Sequence, residues 1–169
     1  MTKWLYCPEC KSELDNSGEF PKCPSGHFVK YPTPVASAFV LMSHDGKYLL
    51  MKRDYQPRLG SWSVPGGFIE PGESAEEGLA REIFEETKIK IDISKLKYLG
   101  TFYQEYGNET ETKNLGVAFC LEFDDEPVVE LNHEHSEYIW RSLDEIPEIA
   151  SDDIRHAFEH LQNNLSKVV

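Results

Sequence analysis

A charged run in the middle of the chain, Arg81-Glu82-Ile83-Phe84-Glu85-Glu86, limits the possible folds and functions more than any other segment. If the run is helical, Glu82, Glu85 and Glu86 project from one face, because residues three and four apart are neighbours on a helix surface. Three carboxylates so placed repel one another unless a cation lies between them. Oxygen-only ligand sets suit Mg²⁺ or Mn²⁺, which serve phosphate chemistry. The run therefore predicts a helix that carries a divalent-cation site.

A simpler interpretation is a solvated acidic helix face, held by ion pairs such as Arg81 with Glu85. The segment before the helix argues against it, because Gly66-Gly67 and Glu73 precede the run at fixed spacing. Glycine permits close approach of the backbone, so a carbonyl group near Gly66 can complete a metal shell. We expect Arg81 and Glu73 to lie behind the ligands and to orient them rather than to touch the metal.

Gly67, Glu73 and residues 81–89 resemble the Nudix box, the signature of hydrolases that cleave a nucleoside diphosphate linked to another moiety. The specified position that departs from the pattern is Lys88, where the family has glycine. The resemblance covers about residues 34–148. It implies an α+β fold, an α/β/α sandwich with a mixed sheet, and a Mg²⁺- or Mn²⁺-dependent pyrophosphatase with Glu82, Glu85 and Glu86 as metal ligands.

Cysteine turns near the N-terminus indicate a second metal site. Two residues separate Cys7 from Cys10, Cys23 follows, and three residues separate Cys23 from His27. In a chain expected to be cytosolic, this spacing favours zinc over disulfides. A four-cysteine zinc ribbon would have cysteine where this chain has Gly26, so His27 is the expected fourth ligand of a structural Zn²⁺. The alternative is a decayed ribbon without metal.

The chain is therefore divided into a zinc ribbon at residues 1–30 and a Nudix hydrolase domain at residues 34–169. So short a ribbon scarcely folds on its own core, and metal would supply most of its stability. A ribbon before a Nudix domain is similar to the arrangement in NADH pyrophosphatases. That group carries Ser-Gln-Pro-Trp-Pro-Phe-Pro shortly after the box, and residues 98–106 of this chain lack it. A preference for NADH is therefore not expected.

Periodic apolar residues predict the other elements. A hairpin turn at Asp45-Gly46 joins the first two strands. Ser74 and Glu77 form a capping-box pair that opens a helix ending near residue 87, and a last helix spans residues 151–165. Strands are expected at residues 35–42, 48–53, 62–64, 68–69, 96–106, 115–123, 128–131 and 138–141.

The overall charge limits the partners. The formal net charge of −13 disfavours nonspecific binding to nucleic acid or to an anionic membrane. No apolar run is long enough to span a bilayer, and the N-terminus lacks a signal-peptide core. We therefore expect a cytoplasmic protein with a nucleotide as its small-molecule substrate and with neither membrane nor nucleic acid as a partner. Because the charges of residues 1–30 cancel, the ribbon is expected to act as a scaffold or to form a homodimer.

Basic and aromatic residues outside the box are candidates for substrate binding. Arg53 and Arg58 flank the loop before the box, and arginine suits bidentate contact with phosphate. The alternative is that both are solvated loop charges. Tyr103 and Tyr106 can stack on a base or a ribose, although at strand spacing they are equally explained as core or edge aromatics.

Two acidic residues precede the strand expected at 138–141, and one of them could deprotonate the attacking water or hold a further metal. Of the two, we favour Glu137 over Glu134, and a surface acidic loop is the alternative. The whole pattern predicts metal-dependent hydrolysis of ADP-ribose, a nucleotide sugar, a dinucleotide or a similar compound. The rival functions are a non-catalytic nucleotide sensor, in which the ribbon is a protein-interaction element, and an enzyme that decaps nucleotide-capped RNA.

Overall fold

The computed structural model describes residues 4–31, 33–106, 112–149 and 151–165. Two short 3₁₀ turns, Ile93–Lys95 and Leu143–Glu145, accompany the strands and helices of these ranges. The helices are α1 (Ala75–Thr87) and α2 (Asp152–Leu165). The strands are β1 (Val35–His44), β2 (Lys47–Arg53), β3 (Trp62–Ser63), β4 (Gly66–Phe68), β5 (Lys97–Tyr106), β6 (Thr112–Phe123) and β7 (His135–Ser142).

The seven strands form one mixed sheet in the order β3-β2-β1-β6-β5, with β4 paired to β1 and β7 paired to β2. β1 and β6 run parallel, and the other pairs are antiparallel. The turn between β1 and β2 has positive φ at both Asp45 (47°) and Gly46 (71°). This is the backbone geometry of a type I′ turn, whose twist matches that of the flanking strands, and the predicted hairpin is confirmed.

The central strands are buried on both faces, which explains why their sequences are continuously apolar rather than alternating. Along β1, Val40 and Met42 pack into the cluster that contains Leu79 of α1. Phe39 and Leu41, which point to the opposite face, pack into the cluster that contains α2. One helix therefore covers each face of the sheet. The predicted α+β class, with a mixed sheet inside an α/β/α sandwich, is confirmed.

Helix α1 begins and ends on local interactions. The Ser74 hydroxyl accepts a bond from the amide of Glu77 at 3.2 Å, and the Glu77 carboxylate accepts one from the amide of Ser74 at 2.8 Å. These bonds are the predicted capping box. The helix ends at Lys88, which takes a left-handed conformation (φ 61°) and donates its amide to the carbonyl of Phe84. Lysine thus occupies a conformation that favours glycine.

The prediction of a strand at residues 128–131 is wrong, because this segment has no regular secondary structure. This segment instead runs past the end of α1, where the amide of Glu130 donates to the carbonyl of Thr87 at 2.9 Å. The amide of Asn132 donates to the carbonyl of Glu86 at 3.0 Å. The segment therefore satisfies carbonyl groups that a helix end leaves open, and it ties the end of α1 to the loop before β7.

The N-terminal segment, residues 4–31, folds around a core of its own. Cys7, Leu14 and Cys23 are buried there, and Phe28 packs against them. Isolated β-bridges join Tyr6 to Glu13 and Lys22 to both Asp15 and Val29. So small a core needs a further source of stability. In the described part of the chain, no helix has the length and apolarity needed to cross a membrane.

The conformation of Lys88 yields a prediction about stability. Replacing it with glycine removes the strain of a side chain in the left-handed region, so Lys88→Gly should raise the free energy of unfolding by about 0.5–1 kcal/mol. Urea denaturation measures the change. The control is Lys90→Gly, which removes a lysine without relieving a positive φ and should destabilise the protein. A loss of stability in Lys88→Gly as large as that in the control contradicts this account of the helix end.

Candidate functional site

A cleft of about 250 Å³ opens beside the Gly66-Gly67 loop. Glu82 and Glu86 of α1 line it, together with Glu134 from the loop before β7. Side chains of the loop between β2 and β3 and of the start of α2 complete the walls. The cleft thus gathers groups that are far apart in the sequence, and the helix with the charged run supplies its acidic wall.

Both glycines of the loop are required by close contacts. A Cβ atom on Gly66, whose φ is +149°, would lie 2.4 Å from the backbone oxygen of Ala38. A Cβ atom on Gly67 would lie 2.4 Å from Cδ of Glu82. Distances this short are clashes, so the first glycine lets the loop pack against β1 and the second makes room for the Glu82 carboxylate. The loop and α1 are shaped to fit each other.

An arginine network holds Glu82 from behind. Arg81 donates from Nη1 to Glu82 Oε1 at 2.9 Å, and from Nε and Nη2 to the two carboxylate oxygens of Glu73 at 2.8 and 3.0 Å. A further bond from Nη2 reaches the carbonyl of Phe68 at 2.9 Å. Hydrogen bonding to Arg81 lowers the pKa of Glu73. Glu73 therefore orients Arg81, and Arg81 orients the carboxylate that faces the cleft.

Glu86 is the most buried carboxylate of the cleft, with 6% of its surface exposed. Its Oε2 accepts a bond from the amide of Gly66 at 2.9 Å. Burial raises the pKa of Glu86 well above its usual range, and the charges of Glu82 and Glu134 raise it further. Burial also raises the pKa of Glu82. Anionic oxygens crowded into a buried site are stabilised by a cation, so this donor set fits a hard divalent ion.

The predicted third ligand stands apart from the other two. The Glu85 side chain is 55% exposed and lies 3.6 Å from Nη1 of Arg81. It is on the same side of α1 as Glu82, one turn along, but it does not line the cleft. The structure therefore brings Glu82 and Glu86 together and leaves Glu85 at the outer edge of the site.

The two predicted arginines both line the cleft. Arg53 donates from Nε to the carbonyl of Pro57 at 3.1 Å, and its guanidinium carbon lies 4.1 Å from the centre of the Tyr55 ring. Its Nη2 atom is buried and has no hydrogen-bond partner among the described residues. Arg58 donates from Nη2 to Oε1 of Gln104 at 3.1 Å.

The two predicted tyrosines do not contribute described contacts to the cleft. Tyr103 is 49% exposed and is not one of the residues that line it. Tyr106 is the last residue of β5, and its side chain lies outside the part of the chain that the structure describes. The alternative given for Tyr103, an edge aromatic, agrees with its exposure.

The structure separates the two acidic residues near β7. Glu137 lies directly opposite Lys52 in the β2–β7 register and accepts a 2.7 Å bond from its ammonium group. This pairing keeps Glu137, half exposed, on the outside of the cleft. Glu134 lines the cleft. Of the two acidic candidates, the structure thus places Glu134 in the cleft, and it pairs Glu137, the one that the sequence favoured, with Lys52.

One buried residue of the site has no signal in the sequence. His135 is 6% exposed, and its Nε2 lies 3.8 Å from Oε1 of Glu86. Burial lowers the pKa of His135 to about 4, so the ring is neutral near pH 7. A neutral ring adds no charge beside Glu86. His135 is brought to the site by the pairing of β7 with β2, in which it lies opposite Arg53.

The predicted ribbon ligands meet at one point. One ligand atom from each of Cys7, Cys10, Cys23 and His27 lies within 4.8 Å of all the others. The Ser12 hydroxyl, 3.0 Å from Sγ of Cys10, lowers the pKa of that thiol to about 6. A tetrad that includes a thiol so easily ionised can bind a metal ion.

Gly26 stands where a four-cysteine ribbon would have its last ligand. It has a φ of +76° and donates its amide to the carbonyl of Cys23 at 2.9 Å. This tight turn, in a conformation that suits glycine, presents His27 to the three thiols. Although Gly26 replaces a cysteine of the four-cysteine pattern, three thiols and the His27 ring still meet at one point.

Comparison with known proteins agrees with this geometry. A family model described as the NUDIX domain matches residues 32–161. Among solved structures, the MutT protein from Methanosarcina mazei is 31% identical with a TM-score of 0.68, covering 80% of this chain and 98% of its own. The MutT NUDIX hydrolase from Burkholderia pseudomallei is 26% identical with a TM-score of 0.67, covering 76% and 98%.

Two curated relatives extend the comparison. The NAD-capped RNA hydrolase NudC of Chromobacterium violaceum is 30% identical over 168 residues, which are 94% of this chain and 60% of that protein. The ADP-ribose pyrophosphatase of Methanocaldococcus jannaschii is 35% identical over 92 residues, 54% of this chain and 53% of that protein. The chain thus spans 60% or less of the length of these two relatives.

The two glycines of the loop should respond differently to the same substitution. In Gly67→Ala the three atoms nearest to the new methyl group belong to the movable end of Glu82, so the fold should persist while the carboxylate is displaced. Mn²⁺ affinity, measured by electron paramagnetic resonance, should then fall about tenfold or more, as when the groups that orient a metal ligand are lost.

Gly66→Ala is the matched comparison, because its methyl group meets backbone atoms of β1 that cannot move aside. It should lower the free energy of unfolding by about 2 kcal/mol or more. Equal stability of the two variants, together with unchanged Mn²⁺ affinity in Gly67→Ala, contradicts the fit between loop and helix.

Proposed function

Because the chain belongs to the Nudix family, we propose that it hydrolyses the pyrophosphate bond of a nucleoside diphosphate linked to another moiety, with Mg²⁺ or Mn²⁺ as cofactor. ADP-ribose, a nucleotide sugar or a dinucleotide fits this description. The observation that carries the proposal is the pair of carboxylates in the cleft, Glu82 and Glu86, which lie against the glycine loop: Gly67 leaves room for Glu82, and the amide of Gly66 donates to Glu86.

Glu82 and Glu86 would hold the divalent cation, and the backbone carbonyl of Gly66 would contribute a further oxygen. Glu85 supplies a further oxygen from the outer edge if its exposed side chain turns inward. When bound, the cation polarises phosphoryl oxygens and offsets the charge that builds up on the bridging oxygen. Arg81 and Glu73 keep Glu82 in position and do not meet the substrate.

Glu134 takes the role that the sequence assigned to Glu137. It lines the cleft beside the cation ligands, so it can accept a proton from the attacking water. Arg53 binds a phosphate oxygen through its buried Nη2, which has no partner among the described residues. Arg58 lines the same cleft and adds positive charge for the second phosphate. These arginines attract an anionic substrate that the net charge of the chain repels.

The relatives support this chemistry and raise a second candidate. One is named an ADP-ribose pyrophosphatase and another an NAD-capped RNA hydrolase. NAD-capped RNA is therefore the second candidate substrate, supported by a relative that matches 94% of this chain. The net charge of −13 disfavours long RNA. A steep loss of RNA binding with rising salt would favour the second candidate.

The N-terminal segment is proposed to be a separate unit, a zinc ribbon at residues 1–30 before a catalytic domain at residues 34–169. Cys7, Cys10, Cys23 and His27 hold a structural Zn²⁺, because four protein ligands leave no open position for a substrate. The ribbon is neutral overall, so it acts as a scaffold, and we propose contact between two copies of the chain through it.

Removing one carboxylate tests the catalytic proposal. Glu86→Gln keeps the shape of the side chain and its bond to the amide of Gly66 but loses the charge that binds the cation. Turnover of ADP-ribose with Mg²⁺, followed by chromatography of AMP and ribose phosphate, should fall by about 10²–10³-fold. The control Glu126→Gln, in an exposed loop, should match the wild type. A wild type without Mg²⁺-dependent turnover of any nucleoside diphosphate derivative supports the sensor alternative instead.

The same assay separates the two acidic residues near β7. Glu134→Gln should lower kcat by about 10²-fold if that residue accepts the proton. Glu137→Gln should keep most of the activity, because that carboxylate is bound to Lys52 outside the cleft. The reverse order of effects contradicts the assignment.

Metal analysis tests the ribbon. The purified protein should contain about one zinc ion per chain, as one four-ligand site requires. Cys10→Ser should lose that zinc, whereas Cys120→Ser, at a thiol in β6 outside the tetrad, should retain it. Atomic absorption gives the zinc content of each variant. A wild type that remains folded without zinc after exhaustive chelation contradicts a structural role for the metal.

A further inference from the structure

A row of polar side chains crosses the face of the sheet that α2 covers. Gln104 on β5 lies opposite Asn114 on β6, and Nδ2 of Asn114 donates to Oγ of Ser37 on β1 at 2.9 Å. The next residues of these strands on that face, such as Phe102 and Phe39, belong to the apolar core. Gln104, Asn114 and Ser37 are only 5%, 2% and 8% exposed. Polar groups so deeply buried are costly unless each finds a partner.

The row is only partly satisfied within the described chain. Oε1 of Gln104 accepts bonds from Nη2 of Arg58 at 3.1 Å and from the hydroxyl of Ser151 at 3.0 Å. Oδ1 of Asn114 is buried and has no hydrogen-bond partner among the described residues. A buried acceptor without a donor is destabilising, so this position can accept a donor that the described residues do not supply.

A buried carboxylate adjoins the row. Asp153, 3% exposed, accepts at Oδ1 from the hydroxyl of Ser151 and from the amide of Ile154. Its Oδ2 lies beside Gly116 of β6, where an added Cβ atom would approach it to 3.2 Å. The glycine thus leaves room for the carboxylate against the strand. Burial raises the pKa of Asp153.

These groups line the same cleft as Glu82 and Glu86. We propose that Ser37, Gln104, Asn114 and Asp153, hereafter the polar floor, bind the nucleoside end of the substrate through hydrogen bonds that the nucleoside donates. This deepens the proposed function and rests on it. The open position is Oδ1 of Asn114, an acceptor without a partner among the described residues, so the ligand must present an N–H or O–H group there.

The chemistry of the floor fixes the orientation of the substrate. A diphosphate offers only anionic acceptors near pH 7, and the open position at Asn114 is itself an acceptor, so a diphosphate has nothing to donate there. It therefore belongs at Glu82 and Glu86, with the cation and Arg53. A nucleoside presents donors in two places, the hydroxyls of its ribose and the amino group of its base. Either source satisfies the floor, and the test below distinguishes them.

Calorimetry with unhydrolysed probes in Mg²⁺ buffer tests the proposal. The probes are the α,β-methylene diphosphates of adenosine, of 2′,3′-dideoxyadenosine, which lacks the ribose hydroxyls, and of purine riboside, which lacks the amino group. Methylenediphosphonate reports the phosphate end alone. The wild type should bind the adenosine compound about tenfold or more tightly than the analogue that lacks the contacted donor, because that analogue leaves a buried acceptor unpaired.

Asn114→Leu keeps the size of the side chain and should abolish this preference while leaving the affinity for methylenediphosphonate unchanged. Asn164→Leu, the same change at an exposed position of α2, should behave as the wild type. Equal binding of the three nucleotides by the wild type overturns the proposal and indicates a floor filled by water, and this result needs no variant. Preference retained in Asn114→Leu overturns it as well.

The failure of this inference is distinct from that of the proposed function. If the wild type hydrolyses ADP-ribose and binds methylenediphosphonate but does not discriminate among the nucleotides, only the proposal for the polar floor is contradicted. If the wild type neither turns over ADP-ribose nor binds methylenediphosphonate with Mg²⁺, the proposed function and the polar floor are both contradicted.

Discussion

The contact between the glycine loop and α1 determines the rest of this structure. The amide of Gly66 donates to Glu86, and the missing side chain of Gly67 makes room for Glu82. Two carboxylates are thereby held inside a protein, where their charges are costly. The surrounding structure supports them: Arg81 and Glu73 fix Glu82 from behind, and the backbone carbonyl of Glu86 accepts a bond from the loop before β7.

The sandwich explains how such a site persists. The two faces of β1 and β2 are covered by separate apolar clusters, one under each helix, and this burial is the main source of stability. The polar cleft lies beside these clusters and can therefore contain groups that destabilise the unliganded protein. Two of them, Nη2 of Arg53 and Oδ1 of Asn114, are buried without a partner in the described chain. Both positions are explained if substrate groups complete them.

Features set by neighbours in the sequence were predictable. The Asp45-Gly46 hairpin and the Ser74 capping box each depend on a few adjacent residues, and both appear as expected. The cysteine and histidine spacing also brought its ligands together. Features set by contacts between distant parts of the chain were not predictable. The ammonium group of Lys52, on the neighbouring strand, binds the Glu137 carboxylate outside the cleft. Residues 128–131 form hydrogen bonds with the end of α1 and not with a strand. Asn114 is a polar residue at a buried position of β6. It did not stand out in the sequence, because most of that strand is apolar.

Glu82 and Glu86 are proposed to form a pair that holds a divalent cation beside a diphosphate. Crystals grown with Mn²⁺ and α,β-methylene-ADP, examined by anomalous diffraction, test it most directly. An anomalous peak is expected within about 2.0–2.3 Å of a carboxylate oxygen from each residue, with phosphate oxygens completing the shell. A nucleotide bound in the cleft with no metal between these two carboxylates, or with metal held elsewhere, would contradict it.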